Sequence, residues 1–395
     1  LEQRLPSGTT LAAGIASTDS DRVAGSDSQT RLGLSLTRPL LQGAGEEANL
    51  AELRLAELDT AISVHGLRGF TEALVAEVES VYWEAALAAA RVAIFEEGLR
   101  IAERQLDDTR RRIAAGQVAE TQEAAPRAEV ARRYQGLIDA RAERDTRLLD
   151  LLRLTGSEST DWTTAVDLVT PVSTQTDRAD PGMDSVEALA LQALEARPDI
   201  LEARLQAQRG DLELVRTRDG LLPKLDLFVQ LGKSGYAERM GSSAADLGGD
   251  GYDYAAGLRF ELPLGRRDAQ ARLARARADQ RQTEAALRNL ERLAEVDVRK
   301  AWIETGRSRQ QLDASAQTRA LQDEVLRAEE ARFRAGTATA LDVALAQREV
   351  IEARLGEQQA QVRYRQALID LRLQTGSLLS HRGIRLAGQP TIPFD

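Results

Sequence analysis

Four stretches of the chain alternate apolar and polar residues with a period of two, and the long runs between them follow a helical period. Leu11, Ala13 and Ile15 share one face of the first alternating stretch. Leu32, Leu34 and Leu36 share a face of the second, against Arg31, Gly33, Ser35 and Thr37. Leu225, Leu227, Val229 and Leu231 share a face of the third. Tyr252, Tyr254, Ala256, Leu258, Phe260 and Leu262 share a face of the fourth, against Asp253, Gly257, Arg259 and Glu261. A period of two predicts strands with one apolar face. Each stretch has about the 9–11 residues that a tilted strand needs to cross a bilayer. The connecting segments, 17–28 (STDSDRVAGSDS) and 236–251 (YAERMGSSAADLGGDG), are polar and rich in Gly and Ser. They predict hairpin loops in water. Tyr236, Tyr252 and Tyr254 gather at one end of the second hairpin, where an interfacial aromatic girdle would sit. Two half-buried hairpins of a soluble sheet fit the same alternation, and the strands alone do not choose.

From 44 to 113, and again from 266 to 334, Ala, Glu, Leu and Arg predict long helices. At 1.5 Å per residue each is on the order of 100 Å long. Gly66, Gly69, Gly98 and Gly306 interrupt them and mark bends or close contacts. Each long run ends in a Gly tip, after which a shorter helix returns. Leu341, Leu345, Leu355, Val362, Ile369 and Leu373 fall at spacings of four, seven or ten and predict a heptad seam. Thr-Gly closes both return helices, at 155–156 and 375–376, where Gly takes a left-handed cap. Two more helices are expected between the halves. One runs from Asp184 to Ala196, and the other opens with Pro198 and Asp199, which suit a first helical turn.

The halves repeat. The stretch around Gly116 reads RRIAAGQVAETQEAAPRAEVARRY, and that around Gly336 reads ARFRAGTATALDVALAQREVIEARL. Gly336 lies 220 residues after Gly116, and Gly376 lies 220 after Gly156. An internal duplication follows. The expected organisation is two strand hairpins at 8–38 and 224–264 and a helical hairpin at 44–156. A middle region at 157–222, a second helical hairpin at 266–376 and a tail at 377–395 complete it.

Composition sharpens this reading. Aromatics are 4% and charged residues 29%, a mix that suits long helices better than a globular enzyme. A net charge of −10 argues against wholesale nucleic-acid binding. No cysteine is present, which removes disulfide and thiolate chemistry. No apolar run is long enough for a transmembrane helix. The first half starts almost at its strand, without the helical segment that precedes the second half. A natural N-terminus lying upstream of Leu1 is therefore expected. His65 and His381 have no ligand partner at helical spacing, so no metal, cofactor or catalytic site is expected.

Three segments carry a resemblance. Residues 332–355 (RFRAGTATALDVALAQREVIEARL), 197–227 (RPDILEARLQAQRGDLELVRTRDGLLPKLDL) and 258–265 (LRFELPLG) resemble the TolC-type outer-membrane efflux channel family. The resemblance implies a mixed α/β membrane protein, a homotrimer with four strands per protomer in one twelve-stranded β-barrel. A long α-helical coiled-coil tube continues the barrel into the periplasm. The strand count fits: four strands cannot close a barrel, and an open edge is not tolerated in lipid. The implied function is an exit duct of a tripartite efflux system in the bacterial outer membrane. Its partners would be a periplasmic adaptor, an inner-membrane transporter and outer-membrane lipid. The outlet of a type I secretion system has the same tube, and a soluble periplasmic scaffold is the alternative from another class.

Gly116 and Gly336 permit the sharp reversals at the two tips. The resemblance implies adaptor contact there, with Ala115, Gln117, Val118, Ala335, Thr337 and Thr339 as neighbours. Asp342 follows the second tip. One such Asp per protomer would form a ring around a pore, and rings of this kind set selectivity. It equally suits a helix N-terminus. Gln122 stands at the matching place in the first hairpin, and Ala338 stands where the family often carries Arg. An Arg–Asp latch is thus not supplied, and Glu120, Glu123 and Arg127 offer a different one.

Overall fold

The computed structural model describes residues 1–22, 25–156, 185–237 and 251–386. In chain order its elements are β1 (Glu2–Arg4), β2 (Thr10–Arg22), β3 (Gly25–Pro39), α1 (Glu46–Ala114) and a 3-10 turn (Glu120–Glu123). There follow α2 (Ala124–Thr155), α3 (Val186–Ala196), α4 (Pro198–Asp219), β4 (Lys224–Ala237) and β5 (Tyr252–Glu261). The last described elements are α5 (Arg267–Arg334), α6 (Ala340–Gln374) and α7 (Leu378–His381). Among the described residues the protein is mostly helical with one antiparallel sheet of order β1-β2-β3-β4-β5. It divides into two compact units, residues 1–66 with 201–290 and residues 67–200 with 291–395.

The first unit holds the sheet. Two features depart from expectation. A fifth strand, β1, pairs with Thr10–Ala12 at the edge of β2. Three residues are too few for periodicity to reveal. Residues 17–22 and 25–28 of the expected loop are strand: β2 and β3 stay paired from Thr10↔Thr37 out to Arg22↔Gly25. A ladder needs only backbone groups, so polar side chains do not end it where both faces meet water. The second expected loop, beyond Ala237, lies outside the described residues up to Asp250. Beside the sheet, Leu214 of α4 packs on Leu273 and Ala276 of α5, with Leu221 against them. The Asp219 carboxylate accepts the Gly43 N–H at 2.9 Å, tying the turn after β3 to the end of α4.

The second unit is built of helices whose buried faces are rich in alanine. Ala85 and Ala86 of α1, Leu148 and Leu151 of α2, and Val362 of α6 form one cluster. Val92, Leu137 and Ala140 form another, and Ala190 and Ala193 of α3 bury against Val298 of α5. Small residues let helices approach closely, and side chains such as Leu148 and Val362 fill what remains. α1 runs unbroken through Gly66, Gly69 and Gly98. In the first unit, a Cβ on Gly66 would lie 3.0 Å from Glu202 Oε1. In the second, a Cβ on Gly98 would come within 2.9 Å of Ile351 Cδ1. These glycines mark close contacts. The heptad seam is only partly buried: Val362 and Ile369 are inside, but Leu341 and Leu345 are 63% and 48% exposed. Val343, Ala346 and Val350 turn inward instead.

Both return helices end on a left-handed glycine, Gly156 at φ 63° and Gly376 at φ 65°. Their surroundings differ. A Cβ on Gly376 would lie 2.8 Å from the Ala196 carbonyl, whereas one on Gly156 would meet nothing within 4 Å among the described residues. Either Gly→Ala change costs the left-handed conformation, about 1–2 kcal/mol. Gly376→Ala should lose more than Gly156→Ala, because the backbone of Ala196 must also move. Thermal denaturation of the two variants checks this, and equal losses would contradict it.

Candidate functional site

Two regions gather the residues of interest, one in each unit. In the sheet, register brings the apolar positions of four strands into line. Ala13 faces Leu34, Leu34 faces Leu231 and Leu231 faces Tyr254. Leu11, Leu36, Val229 and Ala256 make the next row, and Leu227 faces Leu258. The face is continuous and uncovered: Ile15, Leu34, Leu231, Tyr254, Leu258 and Phe260 are each at least half exposed. The opposite face carries Ala12, Ser35, Gln230 and Ala255 in one row and Gly14, Gly33, Gly232 and Asp253 in another. Tyr252 sits at the end of β5 with the Lys233 ammonium 5.0 Å from its ring centroid. An amphipathic pair of this kind suits a membrane–water boundary.

The second region is the pair of tips. Both long helices end in the same cap. Gly116 N–H donates to Ile113 O at 2.9 Å, and Gln117 N–H donates to Arg112 O at 2.9 Å. Gly336 N–H donates to Phe333 O at 3.0 Å, and Thr337 N–H donates to Arg332 O at 2.9 Å. These are Schellman caps, and the glycines supply the positive φ, 68° and 77°, that the cap requires. Ala115, Gly116 and Gln117 are exposed beside Val118, as are Ala335, Gly336, Thr337 and Thr339.

The restart after each tip differs. Thr339 caps α6: its hydroxyl accepts the Asp342 N–H at 3.2 Å, and Asp342 Oδ2 accepts the Thr339 N–H at 2.8 Å. This is a capping box. The Thr339 backbone N–H and then its hydroxyl hold the exposed Asp342 carboxyl below its ordinary value. At the matching place Gln122 has no such box; its N–H donates to Ala119 O in the 3-10 turn. Glu123 pairs with Arg110 of its own hairpin at 3.0 Å, while Glu120 and Arg127 are exposed. One contact between the hairpins near the tips is one the sequence did not suggest. The Arg112 guanidinium lies 4.9 Å from the Phe333 ring centroid, within cation–π range.

Also in the second unit, the Arg-Pro-Asp segment forms a charged knot. Arg197 grips Asp199 at 3.1 and 2.8 Å and donates to Gln374 Oε1 at 3.1 Å. Arg68 donates to Gly376 O at 2.9 Å and to Glu72 Oε1 at 3.1 Å. Glu72 is 2% exposed, and burial pushes its carboxyl above the ordinary value, against the pull of Arg68. Burial also acts to raise Asp199, but Arg197 and the Ile200 N–H outweigh it and hold this carboxyl low. No group of three or more His, Cys, Asp or Glu that could hold a metal occurs among the described residues. His65 and His381 both have interaction partners within the chain.

The sequence profile of the outer membrane efflux protein family matches residues 4–157 and 189–377. No curated protein sequence matches the chain. The fold is similar to the outer membrane protein VceC from Vibrio cholerae, at 17% identity over 94% of this chain and 87% of that one, with a TM-score of 0.74. It is similar to the CmeC outer membrane channel of Campylobacter jejuni, at 15% identity over 94% and 78%, TM-score 0.72. The open state of the MtrE outer membrane channel of Neisseria gonorrhoeae is similar at 19% identity over 94% and 82%, TM-score 0.70.

Glu72 yields a pH prediction. Its folded pKa lies above the unfolded one, so its contribution to stability is full in acid and is lost as pH rises through the folded value. Glu72→Gln keeps an acceptor for Arg68 and removes the titration. As pH rises from acid through the raised folded value, the variant should gain on the parent in denaturant midpoint. A difference that does not change with pH would contradict the assignment.

Proposed function

The chain belongs to the outer membrane efflux protein family, and on that premise we propose that it is the outer-membrane exit duct of a tripartite efflux system. Three copies contribute four long strands each to one twelve-stranded barrel, and the helices form the periplasmic tube below it. The duct conducts passively, with energy supplied by an inner-membrane transporter.

One observation carries this reading: a continuous apolar face on a sheet whose outer strand, β5, has no partner beyond β4 among the described residues. In hydrocarbon that edge must pair. Closure by identical chains supplies the partner and an even strand number. The helices of the second unit leave apolar stripes that a second copy would cover. Leu67, Phe70 and Leu74 of α1 are exposed at helical spacing, as are Leu293, Val296 and Ile303 of α5. The rise of the apolar face from Leu34 to Leu258 also disfavours a soluble scaffold, which has no use for it.

The tips are the proposed adaptor contact, through Gly116 and Gly336 and their exposed neighbours. Asp342 is at once a helix cap and, once per protomer, a carboxylate at the mouth. The capping role has its hydrogen bonds in the chain itself; the pore role rests on the trimer.

Detergent-solubilised protein should run in light scattering as three chains per particle. Gly116→Trp combined with Gly336→Trp should leave outer-membrane trimers intact and abolish export. A crosslinker at position 337 should capture a periplasmic adaptor in the parent. A monomer soluble without detergent would overturn the duct, and normal export by the double variant would overturn the role of the tips.

A further inference from the structure

The polar face of the sheet carries a charge arrangement that goes beyond a generic water-filled bore. Arg31 on β3 and Asp253 on β5 form an ion pair, although β4 lies between them. Strands in a sheet are about 4.8 Å apart, so the pair bridges roughly 10 Å of sheet surface. It crosses β4 at Gly232, the residue paired with Asp253 on one side and Gly33 on the other. A Cβ on Gly232 would overlap the Asp253 carboxylate, so the glycine is the groove in which the bridge lies. Ser234, opposite Arg31, is small as well.

The other charges on this face of the four long strands whose side chains are described stand opposite a charge of the other sign. Lys224 stands opposite Glu261, with 3.9 Å between the charged atoms. Asp226 stands opposite Arg259 in the same ladder. Among the described side chains of this face on those strands, every cation therefore has a carboxylate beside it. The other positions are small or uncharged, with Phe228 the single aromatic whose side chain is described, lying against Gly257.

We infer that the barrel bore is charge-compensated and does not select cargo by charge, and that Arg31 keeps it so by neutralising Asp253. This rests on the proposed duct, in which the polar face lines the lumen and each pair occurs three times. The cargo that fits is then of either charge sign, and any selection by charge lies elsewhere in the path. Removing Arg31 would leave three uncompensated carboxylates in the bore, and a ring of carboxylates favours cations.

The test uses the full-length trimer in planar lipid bilayers with a potassium chloride gradient near about 0.1 M, where the screening length is about 10 Å. Arg31→Gln should raise the cation-to-anion permeability ratio by about twofold or more. Asp253→Asn should lower it, and the double variant Arg31→Gln with Asp253→Asn should return it to the parent value. Arg31→Lys should keep the parent ratio, and Leu34→Gln on the opposite face should not move it. Conducting channels whose ratio ignores the single variants, or a double variant that does not return, would overturn the inference and leave the duct standing. A parent trimer that conducts no ions would overturn both.

Discussion

A strand edge in hydrocarbon has no water to satisfy its N–H and C=O groups, and each unmet group costs several kcal/mol. The proposed duct rests on that constraint. β1 covers only the first residues of β2, and the outer side of β5 meets no other strand among the described residues. The apolar residues are aligned across four strands by register, so one residue of slippage on any strand would put its leucines on the polar face. In the proposed duct, closure with further copies would satisfy the open edge and leave the apolar face to lipid. On the other face the same register sets Lys224 opposite Glu261 and Asp226 opposite Arg259, while Arg31 reaches Asp253 across β4.

The helices answer a different constraint. Runs of 69 and 68 residues cannot bury themselves, so they hold together by narrow alanine-rich contacts and by ion pairs across their faces. Arg91–Glu143 and Arg319–Glu357 are such pairs, at 2.7 and 2.6 Å. Pairs of this sort add little energy each when half exposed. The Arg197–Asp199 grip and the Arg68–Glu72–Gly376 contacts are more enclosed and lock the helix ends of the second unit.

Much of this was legible in the sequence because it depends on local rules. Period two located the strand faces, and Thr-Gly at 155–156 and 375–376 located the caps. Pro198 opens its helix as its fixed φ requires. What could not be read depends on distant partners. β1 exists only because β2 offers an edge. Glu72 is buried although it sits among ordinary helical charges. Leu341 and Leu345 have the spacing of a seam, yet Val343, Ala346 and Val350 face inward, because packing rather than spacing selects which stripe is buried. At the tips, the Gly turns were legible from the repeat. The Arg112–Phe333 contact was not, since nothing in either hairpin alone brings these two residues together.

The central claim is that one face of the sheet meets lipid and the other meets water. The chain has no cysteine, so single spin labels can be placed without background. Labels at Leu34→Cys, Leu231→Cys and Leu258→Cys, and at Ser35→Cys, Gln230→Cys and Gly257→Cys, would be read in the membrane-inserted protein. Collision with oxygen reports lipid, and collision with a water-soluble nickel complex reports water. The account predicts strict alternation, with the leucine positions open to oxygen and the others to nickel. Equal access of the nickel complex to both sets would contradict it.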